Sequence, residues 1–139
     1  MIDMKHTMVE SKQFEGDGLQ LVYDRGEWVI GIKNYKRAND ITTLRTLERH
    51  NETDESFVLL TGACTLFCYD DSLPPANAVE LVAMQEHTVY TIPKGVWHTT
   101  IMVPGAKMIL IERSGTSMEN SELYDLNASV IEQVQSEII

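Results

Sequence analysis

The chain has 139 residues, 43% apolar and 23% charged, the proportions of one ordinary globular domain that buries about two-thirds of its unfolded surface. These proportions exclude wholesale disorder and a fibrous repeat. Its 21 acidic and 11 basic side chains leave a formal charge of −10, which repels phosphate backbones and anionic lipid and takes nucleic acid off the list of expected partners.

The opening MIDMKHTMVESKQ has neither a clear period nor the apolar core of a secretory signal. We read residues 1–18 as an N-terminal arm of a single domain spanning 1–139, with a barrel core over 19–113. No run approaches the roughly 20 apolar residues that cross a bilayer, so no membrane partner and a cytoplasmic location are expected. From Leu19 the pattern changes: LQLVYD and EWVIGIKNY, separated by Asp24-Arg25-Gly26, read as two strands and a turn. ITTLRTLERH continues as a strand in which Glu48 and His50 share a face. SFVLLTG and CTLFCYDD follow, punctuated by Gly62 and closed by the turn-rich DDSLPPAN. ELVAM, TVYTIP, HTTIMV and AKMILIER complete a series of short strands whose turn spacing predicts an all-β sandwich or barrel. Only residues 127–138 read as helix: Asn127 is a good cap, Val130, Val134 and Ile138 recur every fourth residue, and Ser129 with Glu132 fits a capping box. This short C-terminal helix either packs on the outside of the barrel or contributes to a dimer contact.

Cys64 and Cys68 sit four apart in a strand-like run, which places their Cα atoms roughly 13 Å apart. That excludes a bridge between them, and two unpaired thiols suit a reducing compartment.

The distinctive segment is ERHNETDESFVLLTG, in which His50 is followed after four residues by Glu55, and Glu55 after six by Gly62. Further on stands PKGVWH, with Pro93, Gly95 and His98. This pair of segments resembles the two motifs of the cupin family. The first motif is Gly, five residues, His-x-His, three or four residues, Glu, six residues, Gly. The second is Gly, five residues, Pro-x-Gly-x-x-His, three residues, Asn. His50, Glu55, Gly62, Pro93, Gly95 and His98 match. Thr42, Glu48, His87 and Met102 stand where the family has Gly, His, Gly and Asn.

The resemblance implies a double-stranded β-helix, or jelly-roll, cupin barrel, and a divalent metal held by His50, Glu55 and His98. Strand parity aims Glu48 and His50 together into the barrel, and residues 51–54 form a loop that lets Glu55 rejoin them from the next strand. Two imidazoles and a carboxylate with open positions suit iron(II), zinc or nickel. Glu48 as a fourth donor makes the site harder and favours manganese, iron(II) or zinc over copper. The alternative is a metal-free polar pocket in which His50, Glu55 and His98 hydrogen-bond one another. Glu48 or Glu55, if not a ligand, is the candidate catalytic general base.

Among the remaining candidates, His87 reads as a solvated turn residue. Trp97 should face away from His98 and pack between the sheets or at a subunit contact. Met102 shares the face of His98 and lines the pocket wall. Trp28, Tyr35 and Tyr90 are strand aromatics whose face the sequence leaves open. The resemblance implies a small-molecule ligand, a sugar derivative or oxo acid, and isomerase, lyase or dioxygenase chemistry. The rival reading is a non-catalytic ligand-binding or sensor barrel without metal. Exposed sheet edges predict a homodimer.

Overall fold

The computed structural model describes residues 8–138, so the first seven residues of the expected arm lie outside the described part. Period-two alternation builds ten strands among the described residues: β1 (Gly18–Asp24), β2 (Trp28–Asn34), β3 (Thr46–His50), β4 (Glu55–Thr61), β5 (Cys64–Tyr69), β6 (Val79–Ala83), β7 (Val89–Ile92), β8 (Trp97–Met102), β9 (Lys107–Arg113) and β10 (Ser121–Asp125). Two helices accompany them, α1 (Pro75–Ala78) and α2 (Ala128–Ile138). Neither is long and apolar enough to cross a membrane.

The strands pair antiparallel in two five-stranded sheets, β1-β2-β9-β4-β7 and β10-β3-β8-β5-β6. This is the expected all-β architecture with one short C-terminal helix. Consecutive β3 and β4 lie in different sheets, so the loop between them crosses from one wall of the barrel to the other.

One apolar cluster fills the space between the sheets, with Phe57, Leu59, Leu66, Met102, Met108 and Leu110 each at most 2% exposed. Each such side chain contributes about 1.5–3 kcal/mol by leaving water. A second cluster lies on the outer face of the β3-β8-β5 sheet, where Val130 and Val134 of α2 cover Leu47, Phe67, Trp97 and Ile101. The tail helix therefore packs on the outside of the barrel. Trp97 belongs to this outer layer and not to the space between the sheets, because it alternates with inward His98.

Three local expectations are corrected. Ile41–Thr43 form a 3-10 turn rather than strand, because the Asp40 carboxylate accepts from the Thr42 backbone N–H at 3.0 Å and from its hydroxyl at 2.8 Å. Strand geometry begins only at Thr46. The Ser129–Glu132 capping box does not form. Asn127 Oδ1 caps α2 by accepting from Val130 N–H at 3.0 Å, and Ser129, inside the first turn, donates to that same oxygen at 2.7 Å. The barrel also takes in β10, beyond the expected run, which pairs with β3 along its whole length.

The two matched glycines have separate steric reasons. Gly62 has φ +81°, and a Cβ there would stand 2.7 Å from the Ala106 backbone Cα. Gly95 has φ +83° in open space, so its requirement is conformational alone.

Candidate metal centre

Four side chains from three strands converge at one end of the space between the sheets. Glu48 and His50 point inward from β3, Glu55 opens β4 in the opposite sheet, and His98 arrives on β8 beside β3, where Glu48 and His98 are cross-strand partners. The turn that starts β8 is fastened at two points: Gly95 N–H donates to the His50 carbonyl at the end of β3 at 2.7 Å, and Lys94 N–H to Asp54 Oδ1 of the β3–β4 loop at 2.8 Å. One potential ligand atom from each of the four residues falls within 4.8 Å of the others. All the sequence-predicted site residues are thus brought together, with His50, Glu55 and His98 buried and Glu48 partly open.

His98 Nε2 stands 3.1 Å and His50 Nε2 3.3 Å from Glu55 Oε1, and His50 Nε2 is 3.8 Å from Glu48 Oε1. Donors held about 2.1 Å from one ion stand roughly 3.0–3.5 Å apart, a spacing met by Glu55 with each of the two imidazoles, while Glu48 stands slightly farther out. The protonation pattern points the same way. His98 Nδ1 lies 2.8 Å from the Val96 carbonyl oxygen, which only accepts, so this nitrogen carries the proton and a neutral ring presents its Nε2 lone pair to Glu55. A lone pair against a carboxylate oxygen requires a second ring proton or a cation between them. His50 Nδ1 meets Ser121 Oγ of β10 at 2.8 Å, while its Nε2 is shut off from solvent and makes no hydrogen bond among the described residues, although Glu55 Oε1 stands 3.3 Å away. An orphaned buried imidazole nitrogen aimed at two carboxylates fits a metal ion, and the buried His/Glu donor set can hold one.

The buried groups also act on one another's proton affinity. Glu55 raises the His50 pKa, with burial acting against it. Burial pushes Glu55 up, but His50 and His98 outweigh it and hold the carboxyl well below its usual range.

Two inward side chains that sequence reasoning missed complete the surroundings. Glu112 of β9 lies across from Glu55, with Oε2 buried and unpartnered. Burial first, and then the Glu55 charge, push its carboxyl up to about 8. Lys33 of β2 donates to Thr100 Oγ1 at 2.9 Å, and burial lowers its pKa against the pull of Glu55 and Glu48. A signal existed in the sequence: Lys33 follows Val29 and Gly31, and Glu112 follows Met108 and Leu110, on inward parity. A cavity of about 240 Å³ lies among Lys33, Asn39, Glu48, Glu55, His98 and Thr100.

The other candidates fall into place around this centre. Met102 faces inward with His98 but lies deeper, in the apolar cluster. His87 is exposed in its turn with φ +63°. Trp28 is 60% exposed, whereas Tyr35 and Tyr90 pack against the inner cluster. Cys64 and Cys68 are free, with burial raising their thiols to about 12 and about 11.

Neither a protein-family model nor a curated protein matches the sequence. Solved structures do match. Pac13 from Streptomyces, in complex with uridine, superposes at a TM-score of 0.56 over 99% of this chain and 98% of its own, at 13% identity; Pac13 is described as a unique nucleoside dehydratase. A protein from Planctomyces limnophilus superposes at 0.56 over 84% of this chain and 96% of its own, at 13% identity. KdgF from Halomonas sp. superposes at 0.51 over 68% and 76%, at 11% identity. At these identities the likeness is one of fold, and the fold is that of the cupins.

Proposed function

We propose that the protein is a metal-dependent cupin enzyme that acts on a polar small molecule, a sugar derivative or oxo acid, by isomerase, lyase or dioxygenase-type chemistry. The observation that carries this reading is the convergence of Glu48, His50, Glu55 and His98 around an imidazole nitrogen with no partner of its own. His50, Glu55 and His98 would hold a divalent ion with Glu48 as fourth donor, and zinc, iron(II), manganese and nickel all suit this set. Such an ion, when bound, supplies Lewis-acid polarisation of a carbonyl or hydroxyl oxygen.

The residues supply the rest. The Val96 carbonyl holds His98 in the tautomer that presents Nε2, and Ser121 plays the corresponding part for His50. Glu48, the one member of the set open to solvent, is the carboxylate placed to take a proton from a substrate in the cavity when it is not engaged as a ligand. The uridine complex of Pac13, a sugar derivative on the same fold, supports the substrate class.

The test is elemental analysis of purified protein followed by calorimetric titration of the stripped protein with Zn²⁺, Mn²⁺, Fe²⁺ and Ni²⁺. One ion per chain supports the reading. Absence of uptake for all four removes it in favour of a metal-free binding module.

Free Cys64 and Cys68 accord with the reducing cytoplasm as the working compartment. A homodimer belongs to the same proposal, supported by apolar Trp28, Leu60 and Val89 left exposed on the outer face of the β1-β2-β9-β4-β7 sheet. Light scattering at twice the 15.7 kDa chain mass is the expected result, and the single-chain mass at every concentration would count against it.

A further inference from the structure

The cavity beside the metal centre has a second pole that the ligand set does not use. Lys33 Nζ donates to Thr100 Oγ1 at 2.9 Å. Asn39 Nδ2 donates to the Thr100 carbonyl at 3.1 Å, which fixes the orientation of its amide, and reaches the same Thr100 hydroxyl oxygen at 3.4 Å. Two donors therefore occupy both acceptor positions of one hydroxyl. The Thr100 O–H and the other N–H bonds of Lys33 remain as donors with no acceptor among the described residues, and Lys33 makes no salt bridge among them either. A half-buried amine without a counter-ion is costly. Glu48 and Glu55 line the same cavity and act on Lys33 through space, but their carboxylates converge on the metal centre and neither forms a salt bridge with Lys33 among the described residues.

The spare N–H bonds of Lys33 and the Thr100 O–H are complementary to a carboxylate, while Asn39 Oδ1, buried without a hydrogen-bond partner among the described residues, offers an acceptor to a substrate hydroxyl. Lys36 lines the cavity together with Lys33, and among the described residues no arginine does. Thr100 lies two residues beyond His98 on the same face of β8, roughly 6.6 Å along the strand. A short acid can therefore span from this corner to the ligand set. The cavity of about 240 Å³ is smaller than the roughly 300–1,000 Å³ of pockets for drug-sized ligands.

We propose that Lys33 and Thr100 form a carboxylate-binding subsite, so that the substrate is a small hydroxy or oxo acid that places its carboxylate at Lys33 and another oxygen at the metal centre. This inference rests on the preceding reading of the site and narrows its substrate class. Neutral sugars lack the group that the corner is built to pair, and a second acid group on the substrate would meet Glu48.

The experiment is calorimetric titration of the full chain with gluconate and pyruvate, and with sorbitol as the carboxylate-free counterpart of gluconate. Each titration is run with and without one equivalent of Zn²⁺. At least one acid is expected to bind tenfold or more tightly than sorbitol. Lys33→Met should abolish that preference while leaving Zn²⁺ stoichiometry unchanged and without lowering the melting temperature. Thr100→Val, which keeps shape and removes the donor, should weaken acid binding severalfold and serves as the second variant should Lys33→Met not fold. Equal affinity for acid and sorbitol, no binding of either acid, or a preference that survives the substitutions overturns the subsite. Failure of Zn²⁺ to bind would remove the metal reading alone, because the acid preference is read independently in the metal-free protein.

Discussion

The inward faces of β4, β8 and β9 change character within a few residues. On β8 the sequence runs His98, Thr100, Met102; on β4 it runs Glu55, Phe57, Leu59; on β9, read backwards, it runs Glu112, Leu110, Met108. One end of the barrel interior is thus an ionisable cluster around a cavity, and the other is a dry plug in which Met102, Met108 and Phe57 are at most 2% exposed. The same strands serve both ends, so stability and chemistry are separated by position along a strand and not by element. The plug supplies apolar burial that the wet end cannot, and it holds the strands whose other ends carry buried carboxylates and imidazoles.

The sharpest way to break this comparison is to cut the plug. Leu59→Ala should cost about 2–5 kcal/mol of unfolding free energy, measured by urea denaturation, while the protein that remains folded keeps its metal stoichiometry. A cost below about 1 kcal/mol would show that the dry end does not hold the barrel together. At the wet end the order reverses. His98→Ala should remove one ligand and abolish stoichiometric metal uptake, while the metal-free form still folds, with a lower melting temperature because the buried Glu55 loses one of its two imidazole partners. Full metal content in that variant would refute the assignment of His98.

A pH titration of metal-free protein gives a smaller effect confined to the wet end. Glu55, with its folded pKa depressed, adds stability above 4.5 that is lost as the pH falls below it. His50, with its folded pKa raised, adds stability that is complete below 6.5 and lost as the pH rises through the folded value. Glu112 acts in the opposite sense to Glu55. Raised from 4.5 to about 8, it keeps a proton in the folded state that the unfolded chain gives up, so stability falls as the pH rises between those values. Between 4.5 and 6.5 neither Glu55 nor His50 contributes a slope, and the decline there, at most about 1.4 kcal/mol per pH unit for one proton, belongs to Glu112. Glu112→Gln should flatten it. A slope that persists in this variant would place its origin elsewhere.

The two ends were also unequally legible in the sequence. The plug follows from alternation alone, because apolar residues at every second position leave one choice of inward face. At the wet end, the motif spacing exposed His50, Glu55 and His98, and parity exposed Glu48. Lys33 and Glu112 escaped because a charged residue in a strand is assigned to solvent unless its parity is followed through the apolar neighbours. Asp40 hid the start of β3 by capping a 3-10 turn in a stretch that reads as strand. β10 escaped because its burial is slight: an edge strand with Ser121, Glu122 and Asp125 among five residues shows no apolar stripe, and only its pairing with β3 reveals it.

That overlooked strand carries the last test. Ser121 stands directly opposite His50 in the β10–β3 register, and its Oγ lies 2.8 Å from His50 Nδ1. For His50 to offer Nε2 to an ion, Nδ1 must carry the ring proton, and the serine oxygen is then its acceptor. The hydroxyl thus fixes both tautomer and ring orientation at a ligand whose other ring nitrogen makes no hydrogen bond among the described residues. Removing such an outer partner lowers metal affinity by about 10–100-fold in general. Ser121 is partly open to water, and a water molecule can replace part of the lost bond, so Ser121→Ala should fall near the lower end of that range. Ser121→Thr, which keeps the hydroxyl, should restore affinity, and neither change should alter the melting temperature of the metal-free protein appreciably. If Ser121→Ala binds Zn²⁺ as tightly as the parent, His50 is not oriented through β10, and the edge strand serves only to close the sheet.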